Sequence, residues 1–192
     1  MTNNQQAVTS VISSPDSLLA VWFSVRVRPL WFKSTPKFDA ELRQHFADTW
    51  QAAQRGELNA WEDAANGALA LVIVLDQLPL NMFRNRPESF ATEAAARDVA
   101  RRAIARGFDA ALDTSQRLFL YLPFMHSEQL ADQDYAVQLF AQPGMEATLE
   151  WARHHRDIVR RFGRFPHRNA LLGRTGSAAE NAYLESEAAF HG

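Results

Sequence analysis

Apolar residues recur at helical spacing along nearly the whole chain. Phe38, Leu42, Phe46 and Trp50 stand four residues apart and mark one stripe of an amphipathic helix from about Pro36 to Arg55, ended by Gly56. Before it, Leu18, Leu19, Val21, Trp22 and Phe23 predict a short helix opened by Pro15 and Asp16, with Asp16 or Ser14 as its cap. The connection from Val25 to Pro36 carries Trp31 and Phe32, two rings expected to plug the core. A third helix is predicted from about Asn59 to Leu78. Its second half, ALALVIVLDQL, is apolar on every side, the pattern of a helix buried all round. Val72, Ile73 and Val74 also suit a strand, but the flanking segments have helical period, so a central helix stopped by Pro79 is the reading adopted.

The second half of the chain repeats the pattern. Thr92 is expected to cap a helix to Arg106, with Ala96, Val99, Ala100, Ala103 and Ile104 inward and Arg97, Arg101 and Arg102 outward. Asp113 or Thr114 starts a helix through RLFLYL that Pro123 ends or kinks, and Ser127 is the expected cap of the next, to about Ala141. A long helix runs from Met145 to Phe162 and ends at Gly163, and Ser177 and Glu180 form a capping box for the last. The whole predicts an all-α fold, an antiparallel array of about eight to nine helices joined by short loops. Residues 15–192 are read as one domain and 1–14 as a disordered N-terminal segment. No repeat of fixed period is legible.

Composition narrows the function classes. The net charge of the 192 residues is −2, against a generally basic nucleic-acid binder. The absence of cysteine excludes disulfides, thiolate catalysis and thiolate metal ligation, and fits a cytoplasmic location. The N-terminus lacks the charged and apolar regions of a secretory signal, and the longest apolar run, Ala68 to Leu75, falls short of the roughly 20 residues a membrane span needs. No P-loop, nucleophile elbow, HExxH or dinucleotide fingerprint is present.

Charge is distributed unevenly. From Trp151 to Arg174 the chain carries seven arginines against one acid, Asp157, or +6, so the remainder sums to −8. Asp157 and Arg161 are expected to pair one turn apart, and His155, on the face of Val159 and Phe162, to point inward. Arg164, His167, Arg168 and Asn169 then fall on an irregular turn beside Phe165 and Pro166, and guanidinium forks there suit a carboxylate or phosphate. The alternative is a set of arginines satisfying helix carbonyls and nearby acids. Asp76 ends the most apolar helix and, if buried, needs a cationic partner, with Arg84 and the basic stretch as candidates; Gln77 points to a neighbouring face and adds little by itself. That pair would be a packing device or a carboxylate orienting a functional His. His126, Ser127 and Glu128 suit a proton relay or an ordinary helix start, and their spacing is poor for a metal.

These runs resemble a known family. Trp22-Phe23, Trp31-Phe32, Phe38-Asp39, Leu75-Asp76-Gln77, Asn81-Met82-Phe83-Arg84, Phe90-Ala91-Thr92, the FLYLPFMHSE run from Phe119 to Glu128, and His155 followed by RFGRFPHRNALLGR from Arg161 to Arg174 are similar, almost end to end, to the bacterial domain of unknown function 924. The resemblance implies an all-helical, tetratricopeptide-like array and carries no established activity. Two departures stand out: Leu80 stands where the family tends to have arginine, and Gly176-Ser177-Ala178-Ala179-Glu180 where it tends to have Ser-Thr-Pro-Glu-Glu.

The sequence therefore predicts one polar cleft. His126, His155, Asp76 and Glu128 would be its acid–base groups, and Arg84, Arg164, His167, Arg168 and Asn169 would hold an anionic small molecule. No metal, nucleic acid or membrane is expected as a partner, and no cofactor is identified. The rival reading is a tetratricopeptide-like module that binds a protein or peptide in a concave groove without catalysis.

Overall fold

The computed structural model describes residues 12–191, which are helical without strands. Eight helices follow one another: α1 (Pro15–Trp22), α2 (Pro36–Gln54), α3 (Ala65–Met82), α4 (Glu93–Ala105), α5 (Thr114–Met125), α6 (Leu130–Phe140), α7 (Glu146–Phe162) and α8 (Ala178–Leu184). Helix α5 packs on α6 and α6 on α7, while α3 touches α1, α2, α4 and α5. Of the segment expected to be disordered, residues 1–11 lie outside the described part. Ser13 donates its N–H to the Thr49 hydroxyl, and Ser14 caps α1 in a reciprocal bond with Ser17.

Helix α3 is the centre of the fold. Every residue from Gly67 to Pro79 is buried, as the all-round apolar pattern requires. By length and composition α3 could cross a membrane, but 83% of it lies inside the protein, as expected of a core helix. Gly67 permits its start: a Cβ there would sit 2.1 Å from the Trp61 carbonyl oxygen. Pro79 does not stop the helix. Residues Ile73–Gln77 widen into a π turn, and the chain continues helically through Pro79 to Met82. Pro79 has no N–H to reach back to Leu75, and the Leu75 carbonyl instead accepts the Thr92 hydroxyl at 2.5 Å.

Several local expectations are corrected. Trp31 is half-buried and donates its indole N–H to the Trp22 carbonyl, but Phe32 is 68% exposed, so only one ring of that pair plugs the core. Thr92 precedes α4 without capping it, because its hydroxyl is spent on Leu75 and accepts the Trp50 indole N–H. Ser127 lies before the cap position of α6; its hydroxyl accepts the Gln129 N–H and donates to Asp132. Arg97, expected outward, lies against Asp132 with its side chain 14% exposed. Pro123 lies inside α5, which runs on to Met125. Asp157 pairs with Arg156 and Arg160, whereas Arg161 lies over the Phe162 ring.

Candidate functional site

The π turn of α3 holds Asp76 fully buried among the apolar residues of that helix. Its carboxylate has no exposure and splits its oxygens: Oδ1 is 2.9 Å from His126 Nδ1, and Oδ2 accepts the Gln77 amide at 2.6 Å. Gln77, expected on a neighbouring face and to add little, is thus Asp76's second partner. His126 ends α5, where the free carbonyls of the helix favour a cation. Because an ionised carboxylate can only accept, Nδ1 carries the hydrogen, and in the neutral ring Nε2 keeps the lone pair. The His126 side chain retains 16% exposure. Burial by itself depresses its proton affinity, but the Asp76 charge and hydrogen bond, with Glu93 nearby, outweigh it, and the imidazole titrates above its ordinary value.

A second buried pair adjoins the first. Arg168, on a short turn after α7, donates to Glu93 Oε2 at 3.0 Å and to the His126 carbonyl at 3.0 Å. Its guanidinium carbon lies 4.5 Å from the Phe90 ring centre and 4.8 Å from that of Phe165, a cation between two aromatic rings. Burial lifts the Glu93 carboxyl above its usual range despite Arg168 and His126, and its Oε1 is buried without a hydrogen-bond partner. Asp76, Glu93, His126 and Arg168 therefore form one cluster joining α3, α4, α5 and the turn after α7.

The neighbouring residues hold this cluster in place. Glu128 accepts two hydrogen bonds from Arg174 and one from the Phe165 N–H. Burial raises its affinity for a proton, but Arg174 and the Phe165 N–H outweigh that and keep it below the usual carboxylate range. Gln133 donates to the carbonyls of Met125 and Ser127, fixing the chain on both sides of His126.

The nine residues predicted to share a cleft are only partly brought together. Asp76, His126 and Arg168 meet. Glu128 lies two residues after His126, tied to Arg174. His155 and His167 lie beyond Phe165, with ring centres 5.5 and 5.6 Å from it. His155 is buried, as its helical face predicted, and its Nδ1–H donates to the Trp151 carbonyl. Burial pushes its pKa down to about 4 and that of His167 down to about 3, so neither is a proton carrier near neutral pH. Asn169 is buried with both amide ends unpartnered. Arg84 pairs with Asp39 and Arg164 with Glu180, so neither guanidinium joins the cluster. Among the described residues no three His, Asp or Glu side chains are arranged to hold a metal.

Glu93 and Arg174 were missed. For Glu93 a signal existed, since it stands on the same helical face as Ala96, Ala100 and Ala103, an acid in an apolar stripe. Arg174 ends the distinctive run, but nothing in its spacing marks Glu128 as its partner.

Among curated proteins none matches the chain. A solved structure of a protein of unknown function from Agrobacterium tumefaciens, ATU0120, is 42% identical, with a TM-score of 0.83 over 90% of this chain and 99% of that one. Residues 18–188, from α1 to beyond α8, match the model of the family described as bacterial protein of unknown function (DUF924), and the chain belongs to that family.

Proposed function

We propose that the chain binds a small anionic molecule, a phosphate or a carboxylate, beside the Asp76–His126 pair, and that His126 Nε2 exchanges a proton with it. One observation carries this reading: a carboxylate with no exposure is bonded to the Nδ1 of a histidine that keeps 16% exposure. A buried acid behind an imidazole fixes its tautomer and supports its protonated form, which is how a general acid–base histidine is prepared. The π turn that inserts Asp76 into the core is a distortion common at functional sites. Arg84, Arg164, Arg168 and Arg174 are each bonded to an acid of the chain, and a protonated His126, although paired with Asp76 through Nδ1, still has an Nε2–H to offer an anion.

The test is histidine C–H NMR of the protein titrated with inorganic phosphate, acetate and citrate. The expected result is a saturable shift of the His126 resonance with at least one of them, lost in His126→Gln and weakened about tenfold in Asp76→Asn. No response of His126 to any anion, or equal binding by His126→Gln, overturns the proposal. Weight would then pass to a protein-binding module, for which the open groove between α1 and α2, lined by Arg26, Glu41 and His45, is the place to look.

A further inference from the structure

Beyond Phe165 the segment after α8 folds back over α7. Phe190 lays its ring 4.4 Å from the centre of His155 and 5.0 Å from that of His167, with Trp151 and His154 at 6.3 and 6.4 Å. The result is a phenyl ring in a box of two imidazoles with an indole at its rim, and Trp151 is 55% exposed, so the rim is open.

Three features mark Phe190 as a poor match for this box. First, the polar atoms are unused. His167 Nδ1 is buried with no hydrogen-bond partner, and the Nδ1–H of His155 is spent on Trp151, which leaves Nε2 as an acceptor. A phenyl ring offers neither nitrogen anything. Second, no hydrogen bond among the described residues ties the segment to α7 or to the turn after it. The described hydrogen bonds of residues 185–191 go to Asn181, to Tyr183 or within the segment, including the Phe190 N–H to the Tyr183 hydroxyl. Third, His155, Phe165 and His167 fall within the span that matches the family, 18–188, whereas Phe190 falls outside it.

We propose that the His155–His167 box is a subsite for a planar ring bearing an O–H or N–H group, such as a phenol, an indole or a nucleobase, and that Phe190 is a tethered occupant which the ligand displaces. The ring would pack edge-to-face against the two uncharged imidazoles, as Phe190 does, and its polar hydrogen would bond a nitrogen that Phe190 leaves bare. The depressed proton affinity of both histidines suits this role, since each is kept as a neutral ring with a free lone pair.

Phenol is the probe, with cyclohexanol as the non-planar control, read by the ring C–H resonances of His155 and His167 in the full chain. The proposal expects phenol to shift both resonances saturably, at least tenfold more tightly in Phe190→Ala than in the wild type, with cyclohexanol shifting neither. Phe190→Tyr carries a tethered phenol and should bind the probe no better than the wild type. Equal affinity in the wild type and Phe190→Ala overturns the displacement, and silence of both histidines, or an equal response to cyclohexanol, overturns the subsite. A melting curve for each variant confirms that it is folded. The outcome is separate from that at His126, which is read by its own resonance and by anions without rings.

Discussion

Asp76 Oδ1 and His126 Nδ1 stand 2.9 Å apart although 50 residues separate them in the chain. The carboxylate belongs to the π turn of α3 and the imidazole to the end of α5, so the pair reports directly on how two central helices dock. Asp76→Asn should remove the main influence raising the His126 pKa and leave burial and Arg168 opposed only by Glu93. The expected outcome is a His126 that titrates above its ordinary value in the wild type and below it in the variant, followed by NMR. The wild-type contribution to stability is fully present below the unfolded pKa, about 6.5, and is lost as pH rises through the higher folded value. An unchanged His126 titration in Asp76→Asn would refute the pairing.

His155 makes the opposite contribution. Its pKa is pushed down to about 4 by burial, so the folded state binds fewer protons than the unfolded chain at mildly acid pH. Its stabilising effect is present above the unfolded value and is lost as pH falls through the folded one. A gap of that size corresponds to about 3 kcal/mol, so His155→Phe, which keeps a ring among Phe165 and Phe190, should flatten much of the acid side of the stability curve. Urea melts of both proteins from pH 7 to pH 4 decide it, and parallel curves would count against a buried neutral imidazole.

Most of the fold was legible because its helices announce themselves locally. The stripe of Phe38, Leu42, Phe46 and Trp50, the all-apolar run of α3 and the Ser177–Glu180 box each need only neighbours along the chain, and the structure keeps all three. The π turn was not legible, since Pro79 reads as a stop unless one knows that Thr92 waits 17 residues away to bond Leu75. The site divides the same way. That Asp76 needs a cationic partner follows from burying a charge, but whether His126 or Arg84 supplies it depends on how α3 and α5 dock. The basic stretch from 151 to 174 is conspicuous in sequence, yet most of its arginines pair with acids far along the chain: Arg168 with Glu93 across 75 residues, Arg174 with Glu128 across 46.

Thr92 tests that hidden joint. Its hydroxyl donates to the Leu75 carbonyl and accepts the Trp50 indole N–H, all buried. Thr92→Val keeps the shape and strands both groups, and an unsatisfied buried polar group costs about 1–3 kcal/mol. Chemical denaturation should show a loss of roughly 2–4 kcal/mol for valine and far less for Thr92→Ser. Equal losses for the two would mean that the methyl group matters as much as the hydroxyl at this position.

Arg168 joins three elements through one guanidinium, to Glu93, to the His126 carbonyl and between the rings of Phe90 and Phe165. Arg168→Met leaves the Glu93 carboxylate buried without its cation, and breaking such a pair costs about 3–5 kcal/mol. Arg168→Lys should recover only part of this, because an ammonium cannot stack as a plane between two rings while serving two acceptors. The loss should also depend on pH in a defined direction. Glu93 already titrates above the usual carboxylate range because it is buried, and without Arg168 it rises further, so the variant is penalised least in acid, where the acid is protonated in both states. Removing both members, in Arg168→Met with Glu93→Gln, should restore most of the stability and abolish the extra pH dependence. Denaturation of the single and double variants at pH 5 and pH 8 reads all of this. If the single variant loses the same amount at both pH values, the penalty comes from lost packing and not from the stranded charge.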